Sequence, residues 1–104
     1  MKIVKQNDWV EVLNNGGSVG NLILSETHFE IVHLQLEPGS VIPLHALPVD
    51  VSFFVLEGTP TFVTDEEEIA AGVNESIFCE ANKNRSWKNN SDATAKVIVI
   101  KAKG

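Results

Sequence analysis

Apolar residues in this chain come in short runs, each stopped by glycine, proline or asparagine after a few positions. "DWVEVL" alternates apolar and polar, the two-residue period of a half-buried strand. "NNGGS" (Asn14 to Ser18) breaks it as a turn. "NLILSETHFEIVHLQL" is rich in β-branched and apolar residues and long enough for two strands, and "EPGS" ends it. "VIPLH", "VSFFVLEG", "TPTFVT", "EEIAAG", "ESIFCE", "SWKN" and "KVIVIKA" follow, each bounded by turn residues. The pattern predicts roughly eight to ten short strands and no helix, hence an all-β barrel or sandwich. With no repeat and no linker, residues 1–104 are expected to form a single domain.

In "VSFFVL", Val51, Phe53 and Val55 share one face of the predicted strand, and Ser52, Phe54 and Leu56 share the other. Both faces are largely apolar, so both need cover. One interior covers one face. The other needs a neighbouring strand, the N-terminal segment or a second copy of the chain, and the last makes a homodimer the expected partner.

A hydrophobic content of 43% fits a packed globule rather than a disordered chain. The net charge of −6 argues against nucleic acid, whose phosphates call for a basic surface. The acidic cluster "TDEEE" (Thr64 to Glu68) is expected to be solvated surface. No run of about 18 apolar residues is present, so no membrane span is expected. The N-terminus is charged where a signal peptide needs an apolar core, and the lone Cys79 has no internal disulfide partner. A cytoplasmic protein with a buried, inert thiol is the expectation.

In the middle of the chain, Gly39 is followed by five residues and His45, Leu47 comes next but one, then three residues and Val51, then six residues and Gly58. This spacing resembles the first motif of the cupin superfamily: glycine, five residues, His-x-His, three residues, glutamate, six residues, glycine. Leu47 takes the second histidine position and Val51 the glutamate position. The second motif is glycine, five residues, Pro-x-Gly, two residues, histidine, three residues, asparagine. Asn74, Glu80, Asn82, Arg85 and Asn89 reproduce its spacing, and only Asn89 keeps the residue type. The resemblance spans Gly39 to Asn89 and implies a cupin-like jelly-roll β-barrel, commonly dimeric.

In metal-bearing cupins, four residues of the two motifs bind one divalent metal inside the barrel. The matching positions here are His45, Leu47, Val51 and Arg85, so one ligand type of four survives. A catalytic metal site needs about three protein ligands, and a fixed guanidinium repels a cation. No cofactor is expected. The alternative is a divalent transition metal in a site rebuilt from His45 and His33, serving a metal-dependent enzyme of oxygenase or isomerase type. The resemblance also implies that His45 and Arg85 converge on the barrel interior, over a floor dried by Leu47 and Val51, with Trp87 and Asn89 on the same side as Arg85. That favours a metal-free pocket for a small, anionic molecule, clamped by Arg85 and oriented or deprotonated by His45. The plain alternative is that Arg85 turns outward to Glu80 or solvent. The metal-free sugar-nucleotide epimerases of the superfamily use a tyrosine acid, and this sequence has no tyrosine. A third reading is a structural or regulatory dimer with no ligand.

Overall fold

The computed structural model describes residues 1–103 and divides the strands between two antiparallel sheets. In chain order they are β1 (Val10–Asn15), β2 (Ser18–Ser25), β3 (Phe29–Leu36), β4 (Val51–Glu57), β5 (Thr61–Thr64), β6 (Glu68–Ala70), β7 (Ser76–Cys79), β8 (Arg85–Lys88) and β9 (Ala95–Ala102). The large sheet runs β1-β2-β3-β9-β4-β7 and the small one β6-β5-β8. Among the described residues the only helical element is a 3₁₀ turn at Gln6–Asp8. This is the expected all-β jelly-roll barrel. Among the described residues no helix is long and apolar enough to cross a membrane.

Strand periodicity decides what faces the interior. Val51, Phe53 and Val55 of β4 are buried, as are Val32, Leu34 and Leu36 of β3 and Ala95, Val97 and Val99 of β9. Across the gap, β5 and β8 contribute Phe62 and Trp87. Phe53 meets Phe62 at 5.4 Å and Trp87 at 5.5 Å between ring centroids, so an aromatic trio joins the two sheets. The Phe53–Trp87 pair is edge-on and the Phe53–Phe62 pair tilted, and aromatic pairs add about 0.5–1.5 kcal/mol beyond the area they bury.

"VIPLH" departs from expectation. It forms no strand, only isolated bridges from Val41 to Lys88 and from His45 to Arg85. Pro43 stands between these bridges and has no N–H with which to continue a ladder. The segment still lies against β8: the Ile42 amide donates to the Trp87 carbonyl at 3.0 Å, and the amides of His45 and Arg85 donate to each other's carbonyls at 3.2 and 2.9 Å. His45 is thereby fixed beside Arg85.

The second-motif spacing has a backbone cause. Asn74 and Asn82, at the two glycine positions of that motif, have φ of 70° and 67°. Asparagine is the non-glycine residue that best tolerates this left-handed region. Asn82→Gly should therefore leave stability within about 0.5 kcal/mol of wild type, whereas Asn82→Val should lose about 1–2 kcal/mol. Urea unfolding midpoints test this, and equal losses would contradict the assignment.

Candidate functional site

A cavity of about 270 Å³ opens between the two sheets. Its walls are mostly apolar. Val32, Leu34 and Val99 come from the large sheet, Phe53 and Trp87 from the aromatic trio, and Ile42 from the bridging segment. Val12 and Leu13 line it although they are consecutive in β1, where the register with β2 shifts between Glu11 and Leu13. A bulge of this kind lets neighbours in a strand share a face. Gly20 also lines the cavity, and a Cβ there would come within 3.2 Å of Leu13 Cβ.

The polar groups of the wall are His45, Arg85, Ser86 and Lys101, with no carboxylate among the described lining residues. Arg85 is only 4% exposed. Its Nη1 donates to the His45 carbonyl at 3.1 Å. A guanidinium has five N–H donors, and the rest find no acceptor among the described residues. They are not sealed in the core either, since the only buried side-chain polar atoms without partners there are Ser18 Oγ and Trp87 Nε1. They open on the cavity. Burial pushes the Arg85 pKa below its ordinary value, and the neighbouring Cys79 opposes that shift. The group nevertheless stays charged at neutral pH. The outward alternative, with Arg85 paired to Glu80, does not hold: Arg85 is a buried cation with no carboxylate partner among the described residues.

His45 is exposed at the rim, with Nδ1 2.9 Å from the Pro43 carbonyl oxygen. A carbonyl only accepts, so Nδ1 donates, and the neutral ring then carries its lone pair on Nε2. The ring can orient a ligand or take a proton from one.

The other expected site residues lie elsewhere. Val51 is 1% exposed in the core, and Leu47 packs against that core; neither lines the cavity, whose inner wall is formed instead by Phe53, Trp87 and Val99. Trp87 is on the wall as expected. Asn89 is not. Its side-chain amide donates to the carbonyls of Leu36 and Ala93 at 2.9 and 2.8 Å, and its Oδ1 accepts from the Ser91 amide and hydroxyl. A side chain with these bonds holds the turn into β9 and has little left for a ligand. Lys101 was not anticipated. It shares the inward parity of Val97 and Val99 on β9, which would have found it. It lies 4.0 Å from Glu30.

The metal alternative does not fit these residues. His33 has the opposite parity to the buried Val32 and Leu34, so it sits on the outer face of the large sheet, where Trp9 covers it at 5.1 Å between ring centroids. It cannot join His45. Among the described residues no group of three His, Cys, Asp or Glu side chains could hold a metal ion. Cys79, free and buried, has its pKa raised by burial above all, with Arg85 opposing, which agrees with an inert thiol.

His33 bears on stability rather than on ligation. Burial, and then the charge of Lys96, hold its pKa below the ordinary value. The unfolded chain then binds the proton more readily, so stability is full above the unfolded value of about 6.5 and falls as pH drops from there through the folded value. Between pH 7.5 and 5, wild type should lose more of its thermal midpoint than a His33→Gln variant. Equal losses would remove His33 as the cause.

A wider groove of about 470 Å³ lies elsewhere, lined by Phe62, Phe78 and Cys79 with Asp65, Glu66, Glu67 and Glu80. Four carboxylates against the single cation of Lys83 make it hostile to anions. Of these two cavities, the first carries in Arg85 a positive charge that no carboxylate of the described residues balances.

The fold and the site together define a small double-sheet β-barrel with a cationic, mostly apolar pocket between its sheets. The chain belongs to the cupin family: the Cupin domain model matches residues 32–101, about two thirds of its length. No curated protein sequence matches it significantly. Solved structures agree on the fold. The polyketide cyclase RemF from Streptomyces resistomycificus superposes with a TM-score of 0.84 at 18% identity, over 98% of this chain and 79% of that one. An RmlC-like cupin from Shewanella frigidimarina gives 0.83 at 13% identity, over 96% and 88%. A sugar phosphate isomerase of the cupin superfamily from Silicibacter pomeroyi gives 0.81 at 19% identity, over 99% and 76%.

Proposed function

We propose that this cupin binds a small anionic molecule in its barrel, held by Arg85 without a metal. One observation carries the reading: a buried guanidinium on the wall of a mostly apolar cavity, with no carboxylate among the described lining residues. A buried charge is costly unless paired, and an anion in the cavity would pair it. Two structural neighbours are a polyketide cyclase and a sugar phosphate isomerase, names compatible with such a site.

The test is a thermal-shift and calorimetric screen of small acids and sugar phosphates, on protein purified without affinity metals and treated with EDTA. An anion at a hundred times its Kd should stabilise the fold by about 2.7 kcal/mol. The response should survive EDTA and vanish in Arg85→Met. A transition metal retained at one per chain, or anion binding abolished by EDTA, would overturn the proposal. Failure of every anion to bind would leave the ligand-free dimer as the better account.

A catalytic version of the same site is favoured by the hydrogen bond from His45 Nδ1 to the Pro43 carbonyl, which leaves Nε2 able to act as a base. Turnover lost in His45→Gln with ligand affinity retained would identify it.

The outer face of the large sheet suggests the partner. Phe54 stands opposite Ile98, while Ile100 and Phe78 flank Ser52 with exposures of 40% and 59%. We propose that two copies of the chain pack these faces together. Sedimentation should then give a dimer for wild type and a monomer for Phe78→Asp. A wild-type monomer at high concentration would dismiss the pairing.

A further inference from the structure

We propose that the ligand is a monocarboxylate of roughly ten non-hydrogen atoms in all, its carboxylate on Arg85 and its apolar body against Phe53, Trp87 and Val99. This rests on the anion-binding reading above and narrows it to a chemical class.

Charge sets the first constraint. Arg85 contributes one positive charge that no carboxylate of the described residues balances. Lys101, the second cation on the wall, already lies 4.0 Å from Glu30. One negative charge neutralises the site. A second, as on a phosphate monoester, would be left unpaired against mostly apolar walls, at a large desolvation cost.

Geometry sets the second. With Nη1 engaged by the His45 carbonyl, Arg85 still has donors in the planar array that suits the two oxygens of a carboxylate.

Size and polarity set the third. At about 30 Å³ per water, the cavity of about 270 Å³ holds the volume of roughly nine waters. Water against Val32, Leu34, Phe53 and Val99 has few partners, and an apolar body gains by displacing it. Acetate or inorganic phosphate would satisfy Arg85 and leave most of the cavity wet. A ligand that fills the volume and carries one carboxylate uses both features of the site.

Calorimetry on the full-length, EDTA-treated protein with four probes tests the inference: phenylacetate, its neutral amide phenylacetamide, acetate and inorganic phosphate. Phenylacetate should bind at least tenfold more tightly than each of the other three. Arg85→Met should erase the preference for the acid over the amide. Val99→Phe should weaken phenylacetate at least tenfold and leave acetate unchanged. If that variant fails to fold, Val12→Phe at the exposed rim makes the same distinction. Acetate or phosphate binding as tightly as phenylacetate, with dependence on Arg85, would overturn the apolar-body class and leave the anion reading standing. An amide that binds as well as the acid, or no binding by any anion, would overturn both.

Discussion

Replacing Arg85 with methionine is expected to raise the thermal midpoint of the ligand-free protein and to abolish its response to anions. The two effects have one cause. Arg85 is 4% exposed, has no carboxylate partner among the described residues, and is held by the His45 carbonyl. The folded chain bears the desolvation of that cation, which in the unfolded chain is hydrated. Methionine has a similar reach and no charge, and it suits the apolar wall formed by Val32, Leu34 and Phe53. Substituting buried charged groups by apolar ones of similar volume commonly stabilises a protein by about 1–4 kcal/mol. Solvent reaching the cavity mouth places the expectation at the low end, about 1 kcal/mol, or roughly 4–8 °C for a domain of this size. Differential scanning calorimetry with and without a bound acid reads both effects. A variant that loses stability and keeps its anion response would contradict the role assigned to Arg85.

Gly58→Ala should produce the largest loss of stability, and Gly39→Ala a much smaller one, although both glycines belong to the same motif and both have positive φ, 78° and 82°. At Gly39 nothing lies within 4 Å of an added Cβ, so only the backbone strain is felt, about 1–2 kcal/mol. At Gly58 an added Cβ would stand 2.7 Å from the Thr94 carbonyl oxygen and 2.9 Å from Ala95 Cα. Those atoms are backbone at the start of β9, a central strand between β3 and β4, and they cannot swing aside. Overpacking of this kind adds about 1–3 kcal/mol, so the total is about 2–5 kcal/mol and the midpoint falls by roughly 10 °C or more. Guanidinium unfolding of both variants measures the contrast. Equal losses would show that β9 moves to accommodate the methyl group.

Much of this protein was legible in its sequence because the relevant signals are local. Short apolar runs such as "VSFFVL" and "KVIVIKA", bounded by turn residues, mark the strands; the two-residue period separates the faces of "VSFFVL", and the structure buries its Val51, Phe53, Val55 set, with Val97 and Val99 of β9 buried by the same period. The spacing from Gly39 to Gly58 and from Asn74 to Asn89 identified the barrel, and the positive φ of Asn74 and Asn82 explains why that spacing persists when the glycines themselves do not. The loss of metal-ligand residue types at positions 47, 51 and 85 was equally plain.

What the sequence by itself determined is therefore most of the strands, the two faces of "VSFFVL", and the absence of the motif's metal-ligand set, while "VIPLH", which reads as a strand, makes only isolated bridges. Only the tertiary structure decided which face is covered and by what, since that depends on a partner strand far away in the chain. It turned Arg85 inward, put His33 outside beneath Trp9, spent Asn89 on the turn before β9, and moved the cavity wall from Leu47 and Val51 to Phe53 and Val99. It also brought Lys101 to the cavity. Parity along a strand is a property of neighbouring residues, whereas closure of the barrel is a property of contacts between the sheets, and the pocket exists only through the second.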